Sequence, residues 1–265
     1  MELEPTGERM IMERYQSSPE DYAIYLMHIA TYRFAEPHTR GKRVLDFGCG
    51  SGYGSAQIAE TAASVVGVDV ADDAVDYARA HFVRDNLSYE RIVPDATLPF
   101  ADASFDTVLS FQVLEHIVDP AVYLSEIRRV LAPGGRLVLA TPDRSTRLLP
   151  LQRPWNRWHV HEYGDTELQR LLARHFAHVE VMGMTATPAL LDIELRRCRR
   201  VKWMTLPFTL PVMPDRWRVA ALNLIHRLRG PGVATGVPRD YPYDVSDVTI
   251  GKGASPSVNL VAVAS

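Results

Sequence analysis

The sequence predicts an α/β fold: a seven-stranded, mostly parallel sheet with helices on both faces, an N-terminal helical segment and a helical insertion between strands six and seven. Short apolar runs alternate with helical patterns up to Thr141, and a glycine-rich turn follows the first run. After Thr141 this rhythm breaks. The predicted domains are a helical cap at 1–37, a core at 38–186, a helical insertion or lid at 187–250 and a last core strand at 251–265.

The elements follow from local patterns. In the cap, Tyr22, Leu26 and Ile29 recur at helical spacing, Ser18 before Pro19 suits a helix start, and Pro37 is expected to end the helix. The expected strands cover 43–47, 65–69, 88–93, 105–111, 136–140, 179–184 and 258–263. Helices are expected at 73–83, 120–131 and 165–176, and inside the insertion at 190–203 and 216–228.

Composition narrows the function classes. The chain has 265 residues, 46% of them hydrophobic and 23% charged, with a net charge of -3. It therefore suits one globular domain with a substantial insertion, not a disordered chain. No apolar run reaches the roughly 18 residues of a membrane span, and no signal core precedes residue 30. Cys49 and Cys198 cannot form a disulfide framework, so a cytoplasmic location is expected.

The glycine turn is the sharpest motif in the chain. Asp46, Gly48, Gly50 and Gly52 alternate directly after the first strand, where glycines let the backbone approach a ligand. A dinucleotide fingerprint would need glycine at Tyr53, and no Gly-Lys-Ser/Thr of a phosphate loop follows. The Asp46 carboxylate would repel a pyrophosphate but suits an ammonium or sulfonium group. Asp69 ends the second strand, where an acid can hold two ribose hydroxyls.

Over residues 40–142 the chain resembles the class I S-adenosylmethionine-dependent methyltransferases, which are Rossmann-like enzymes. The similarity lies in five ordered motifs at residues 44–52, 67–69, 95–100, 105–110 and 131–135. It implies S-adenosylmethionine (SAM) as cofactor. The implied cofactor-binding residues are Asp46, Phe47, Gly48, Cys49, Gly50 and Gly52 in the first motif, Asp69 and Val70 at the ribose, Asp95 and Ala96 at the adenine, and Gln112 near the methionine end.

Three histidines lie on two loops expected beside the methyl group. Methyl transfer to a hydroxyl needs an aligned acceptor and a base that removes its proton, and histidine is the usual base. We predict His159 as the base, with His116, His161 and Glu115 as further catalytic candidates. The alternative is structural, because Glu115 and His116 belong to a Leu-Glu-His-Ile segment that is frequent in the resembled family.

A metal-binding role is a second hypothesis for the same loops. Glu115, His116 and His159 or His161 resemble the acid-and-histidine cluster of metal-dependent methyltransferases that act on vicinal hydroxyls. A divalent ion such as magnesium would orient a diol and lower its pKa. Gln112 stands where that cluster has an acid, so the metal-free interpretation is favoured.

The acceptor is predicted from a looser resemblance. Gly7-Glu8-Arg9 and the Trp-His-x-x-Glu-Tyr segment at 158–163 resemble sugar O-methyltransferases of glycan biosynthesis, and Trp155 and Trp158 are expected to stack on sugar faces. The prediction is methylation of a sugar hydroxyl, for example on a mannoside or rhamnoside of a polysaccharide. The alternatives are a quinone, phenol, lipid or small-metabolite acceptor, and a non-catalytic cofactor-binding scaffold.

The insertion carries an unusual charge. Residues 196–229 contain nine basic residues and only one acid, Asp215. Open interpretations are a solvated lid face, a contact with a phosphate or nucleotide on the acceptor, peripheral contact with an anionic membrane, a homodimer contact, and closure over the acceptor. Nucleic acid is not expected as a partner, because the overall charge is negative and no recognition module is present. The expected partner is a small carbohydrate acceptor.

Overall fold

A computed structural model describes residues 18–94, 97–229 and 241–265. The strands are β1 Arg43–Phe47, β2 Ser64–Asp69, β3 Leu87–Arg91, β4 Phe105–Phe111, β5 Leu131–Pro142, β6 Val179–Ala186, β7 Val248–Gly251 and β8 Asn259–Ala264. The helices are α1 Pro19–Thr39, α2 Tyr53–Ile58, α3 Asp72–His81, α4 Pro120–Val130, α5 Arg144–Arg147, α6 Asp165–Leu172, α7 Pro188–Thr209 and α8 Asp215–Arg229. Short 3-10 turns lie at Leu114–His116 and Val245–Asp247.

These strands form one sheet in the order β3-β2-β1-β4-β5-β8-β6-β7. Neighbouring strands from β3 to β5 pair in parallel, whereas β8 runs antiparallel between β5 and β6. The order changes direction between β1 and β4, so their carboxyl ends open the crevice in which such sheets bind ligands. The α/β prediction of a mostly parallel sheet is therefore confirmed.

The predicted strand count was one too low. The eighth strand, β7, lies in the segment predicted as a helical insertion, and it pairs antiparallel with β6 at the edge of the sheet. It contains only four residues, Val248–Gly251, and none of them is fully buried. So short an edge strand carries little of the apolar alternation from which strands are recognised.

Each face of the sheet has its own core, because side chains along a strand alternate between the faces. Leu45 faces the side covered by α4 and α6, where it joins residues such as Ile127 and Leu168. Val44 faces the opposite side, where it packs with Met27 of α1 and Ile58 of α2. The helices predicted on both faces are thus present.

Helix α1 begins as expected but ends later. The Ser18 hydroxyl accepts a hydrogen bond from the Asp21 N–H at 3.1 Å, and proline follows at the first helical position. The prediction that Pro37 ends the helix was wrong, since the helix continues to Thr39. Proline has a helix-compatible φ, and the turn around it is closed by the Arg40 N–H, which donates to the Glu36 carbonyl at 3.1 Å.

The basic insertion contains a helical hairpin of α7 and α8 joined by residues 210–214. Leu190 of α7 is fully buried against Ala23 and Leu26 of α1, which anchors the hairpin to the N-terminal helix. Among the helices that the structure describes, none combines the length and apolar character needed to cross a membrane.

Candidate active site

The glycine loop lies at the end of β1 and is shaped by its neighbours. The N–H groups of Gly48 and Cys49 both donate to the Val68 carbonyl, at 2.8 and 3.0 Å. A side chain at Gly48 would overlap Val113, whose Cγ2 atom lies 2.3 Å from the ideal Cβ position. Gly50 has φ +55°, and nothing lies within 4 Å of its ideal Cβ position. The loop therefore presents backbone to open space at Gly50.

Asp46 is buried beneath this loop. Its Oδ2 atom accepts hydrogen bonds from the Ser55 hydroxyl at 2.6 Å and the Tyr32 hydroxyl at 3.2 Å. Its Oδ1 atom is buried and has no hydrogen-bond partner among the described residues. Burial raises the pKa of Asp46 to about 6, although both hydroxyls act to lower it. A buried acceptor lacking a donor fits a ligand with a cationic nitrogen or sulfur.

The proposed ribose acid also organises the loop. Asp69 accepts hydrogen bonds from the N–H groups of Gly50 at 2.9 Å and Ala71 at 3.0 Å. Both carboxylate oxygens keep a further lone pair that can accept from hydroxyls. Val70 beside it is 47% exposed. Asp95 and Ala96, the predicted adenine contacts, lie outside the described residues.

Gln112 follows β4 and has an unusual backbone. Its φ is +57°, in the region that non-glycine residues seldom adopt, and its N–H donates to the Ala140 carbonyl at 2.8 Å. Such conformations persist where surrounding contacts impose them, and they concentrate at functional sites. The turn places the next residues, Leu114–His116, at the carboxyl edge of the sheet.

Glu115, His116 and His159 come together at this edge. One potential ligand atom from each lies within 4.8 Å of the others. Two loops meet here: the N–H groups of Val160 and His161 donate to the Glu115 carbonyl at 2.8 and 3.2 Å. The His116 ring also lies edge-on to the His159 ring, with centroids 4.9 Å apart. The structure thus brings together three of the residues named as candidates from the sequence, and their catalytic role remains a prediction.

His159 is oriented by a buried carboxylate. Its Nδ1 atom lies 2.7 Å from Glu162 Oε1, so this nitrogen carries the hydrogen and donates to the carboxylate. Nε2 is then the proton-accepting nitrogen of the neutral ring. Glu162 Oε2 in turn accepts from Arg147 Nε at 3.0 Å. Burial alone would raise the pKa of Glu162, but Arg147 and His159 outweigh it and lower the pKa to about 2.

Glu115 differs from Glu162 in its environment. Its side chain is buried and accepts a hydrogen bond from the Thr141 hydroxyl at 2.9 Å. Burial raises its pKa, and this effect outweighs the opposing influence of His159 and His116. The site thus contains an ionised glutamate, Glu162, which is hydrogen-bonded to His159, and a second glutamate, Glu115, whose raised pKa favours the protonated form.

The side chains of the other acceptor-side candidates have different partners. His161 Nε2 pairs with Glu167 Oε1 at 2.8 Å, and its side chain is 44% exposed. Trp155 is held by the protein, because the Arg147 and Arg197 guanidinium groups lie 4.1 and 5.7 Å from its ring centroid and its Nε1 donates to the Arg147 carbonyl at 3.2 Å, so the sugar-stacking prediction suits it less than Trp158. Trp158 is 51% exposed beside the His116 loop.

Sequence analysis missed several residues that contact His159 and Asp46. Glu162 follows His159 by three residues, which is a usable signal for an orienting carboxylate, and Ser55 lies in the helix directly after the glycine loop. Tyr32, on the N-terminal helix, reaches Asp46 because Gly54 lacks a side chain; a Cβ there would lie 1.9 Å from the tyrosine ring. No local pattern indicates that long-range contact.

The doubly wound sheet, the glycine loop and the two acids at the ends of β1 and β2 define a SAM-binding enzyme of the class I type. Residues 45–139 match the family described as "Methyltransferase domain". A probable SAM-dependent methyltransferase of Mycolicibacterium smegmatis is 35% identical over 192 residues, 72% of each chain. The chain therefore belongs to the SAM-dependent methyltransferase family, and SAM is its cofactor.

Other similarities cover less of the chain or have lower sequence identity. A ubiquinone biosynthesis O-methyltransferase of Idiomarina loihiensis is 36% identical over 119 residues, 43% of this chain and 49% of its own. A structure titled a possible histamine N-methyltransferase from Thermotoga maritima covers 95% of this chain and 96% of its own, with a TM-score of 0.57 and 14% identity. At that identity the structural match shows the fold alone.

The raised pKa of Asp46 leads to a first testable prediction about SAM binding. Because its pKa is raised to about 6, SAM affinity should increase as the pH rises through about 6 and the carboxylate ionises. Asp46→Asn should bind SAM at least about tenfold more weakly, the equivalent of one lost charge-assisted hydrogen bond. Calorimetric titration between about pH 5 and pH 8 measures both effects.

The matched control is Asp72→Asn, which removes an acid paired with Arg91 on the surface. Its SAM affinity should equal that of the unchanged protein. An affinity that does not vary with pH in the unchanged protein, or an Asp46→Asn variant that binds normally, would show that Asp46 does not contact the cofactor.

Proposed function

We propose that this enzyme is an O-methyltransferase that methylates a sugar hydroxyl, with His159 as the general base. The observation that carries the proposal is the hydrogen bond between His159 Nδ1 and Glu162, beside Glu115 and His116 at the ligand edge of the sheet. An imidazole held by a buried carboxylate is suited to accept a proton at its other nitrogen. A neutral amine acceptor, which attacks through its own lone pair, would have less need of such a base.

In this mechanism the chain positions the acceptor and moves one proton. When bound, SAM supplies an electrophilic methyl carbon on a sulfonium leaving group. His159 Nε2 takes the hydroxyl proton, and the ionised Glu162 stabilises the resulting imidazolium. Thr141 fixes Glu115, whose carboxylate lies beside His116 and His159 and would orient the acceptor. Because Glu115 and His159 are buried, little water competes for the proton.

The residues around the His159–Glu162 pair support a sugar acceptor. Trp158, half-exposed, offers an aromatic face of the kind that packs against sugar C–H surfaces. The Arg157 guanidinium lies over one face of this ring, 4.5 Å from the indole centroid, so the sugar would stack on the other face. Among the site residues that the structure describes, none selects a mannoside or rhamnoside over other sugars.

A separate observation supports a second candidate function, in which a bound metal assists methyl transfer. The Glu115, His116 and His159 cluster has the atom types and proximity of a divalent metal site, and the Glu162–His159 bond is the usual outer support of a metal-binding histidine. A metal there would orient two adjacent oxygens and lower the pKa of one. Similarity to proteins named ubiquinone biosynthesis O-methyltransferase makes a catechol-like acceptor the natural alternative.

Transfer of labelled methyl from SAM to parallel panels of saccharides and catechols, with magnesium or with EDTA, tests both functions. Labelled saccharide formed equally in EDTA supports the leading proposal. Labelled catechol, formed only with magnesium, supports the second candidate. SAM binding without transfer to either panel would contradict both.

The exposed end of the α7–α8 hairpin supports a further proposal, peripheral contact with an anionic membrane. We call this surface the hairpin tip; its residues Trp203, Met204, Leu210, Val212 and Trp217 are 39% to 87% exposed. The sequence around the tip is strongly basic, and its acid, Asp215, already pairs with Arg153 and Arg218. A second copy of the chain would place like charges opposite each other, whereas anionic lipid complements them.

Sedimentation with vesicles tests the hairpin tip. We expect binding to vesicles containing phosphatidylglycerol and little binding to pure phosphatidylcholine. Trp203→Ser with Trp217→Ser should reduce the bound fraction severalfold, whereas Val83→Ser, at an exposed position in the core domain, should not. No binding of the unchanged protein to anionic vesicles would exclude a membrane role for the tip.

A further inference from the structure

A second cleft lies beside the His159 cluster. It encloses about 740 Å³ between the start of α4 and helix α6. Its apolar wall is formed by Ile117, Val118, Pro120, Val160, Tyr163 and Leu171. The backbone links it to the catalytic candidates, since the N–H groups of Val160 and His161 both donate to the Glu115 carbonyl. A ligand in this cleft would therefore lie next to the proposed acceptor site.

The polar residues of the cleft are mainly cationic. Arg144, Arg170, Arg174 and His161 line it, against a single acid, Glu167. Glu167 is already engaged, because it pairs with His161 at 2.8 Å and with Arg144 Nη1 at 2.8 Å. The Glu167 carboxylate is therefore already paired with two of the four basic side chains that line the cleft, Arg144 and His161.

Arg170 and Arg174 supply the surplus positive charge. Arg170 lies in α6 and Arg174 in the turn that follows the helix, and neither forms an ion pair within residues 18–94, 97–229 and 241–265. Both line the same cleft. Two guanidinium groups beside an apolar wall can share the oxygens of one oxyanion through paired hydrogen bonds.

We propose that this cleft is an anion subsite that binds a phosphate group carried by the acceptor. The inference rests on the proposed function, and it narrows the acceptor from a sugar to a sugar phosphate. The phosphate would lie against Arg170 and Arg174, with Arg144 nearby, while the sugar ring extends over the apolar wall toward His159. Phosphate is favoured over carboxylate because its additional oxygens and charge can engage more than one guanidinium.

Calorimetric titration with mannose 6-phosphate, mannuronic acid and mannose, in the presence of S-adenosylhomocysteine, tests the subsite. We expect mannose 6-phosphate to bind at least about tenfold more tightly than mannose. The double variant Arg170→Gln with Arg174→Gln should abolish this preference. Arg128→Gln, on the exposed side of α4, is the matched control and should retain it. The variants leave the buried core intact, so loss of folding is not a competing explanation.

The outcomes separate the subsite from the proposed function. Equal binding of mannose and its phosphate, or a preference that survives in the double variant, would overturn the subsite. A variant-sensitive preference for mannuronic acid over the phosphate would overturn the choice of phosphate. Variant-sensitive phosphate binding without methyl transfer to any saccharide would leave the subsite standing and contradict the sugar methyltransferase proposal.

Discussion

Replacing His159 with glutamine is expected to slow methyl transfer by about 10²–10⁴-fold, the usual contribution of a general base. The expected loss is in kcat, because glutamine keeps much of the volume but cannot accept the acceptor's proton. SAM affinity should not change, since the residues proposed to bind the cofactor lie on the β1 and β2 loops. Steady-state kinetics and calorimetry on the same preparation measure the two effects.

His161→Gln is the matched control for this experiment. His161 belongs to the same segment and also contacts a glutamate, but it pairs with Glu167 outside the His159 cluster. Its kcat should stay within about fivefold of that of the unchanged enzyme, the equivalent of about 1 kcal/mol, and any further effect should fall on KM because His161 lines the neighbouring cleft. Equal losses in both variants would indicate a structural role for the segment and would remove His159 as the base.

Glu162→Gln is expected to destabilise the fold by about 3–5 kcal/mol, because it leaves the buried Arg147 charge without its partner. The exposed fractions of the Arg147 and Glu162 side chains are only 9% and 0%, so water cannot compensate the loss. The free energy of unfolding from urea titration measures the effect. Adding Arg147→Met to Glu162→Gln should recover part of the stability.

For the Arg147–Glu162 pair, the direction in which stability changes with pH follows from the lowered pKa of Glu162. The folded-state pKa of Glu162 is lowered to about 2, compared with about 4.3 for an unfolded glutamate. The stabilisation is therefore present above about pH 4.3 and is lost as the pH falls toward 2. Glu167→Gln, whose partners are partly exposed, should change stability by less than about 1 kcal/mol. Similar losses from both variants would contradict the importance of burial.

The core of the fold could be predicted because its signals are local. The apolar run at residues 43–47 and the glycines behind it form β1 and the cofactor loop, and β4 has the predicted bounds, Phe105–Phe111. Elements without a strong local signal were missed or misplaced. Strand β7 exists by pairing with β6, and α1 passes Pro37 because contacts after the proline maintain the helix.

The site was predictable only as far as loops could be assigned to strand ends. Loops after β4 and β5 were expected at one edge, and Glu115, His116 and His159 do meet there. Sequence could not separate His159 from His161, two residues along an irregular segment, because their side-chain directions depend on Glu162 and Glu167. The Tyr32 contact with Asp46 depends on helix α1 packing over the glycine loop.

The most direct test of the proposed reaction traces the methyl carbon from SAM to the product. The enzyme would be incubated with SAM labelled with carbon-13 in the methyl group and a mixture of sugars, sugar phosphates and catechols, and the products analysed by NMR. We expect a labelled methyl ether whose carbon couples to a sugar ring C–H, formed at least about 100-fold more slowly with His159→Gln. A label attached to an aromatic oxygen or to nitrogen would contradict it.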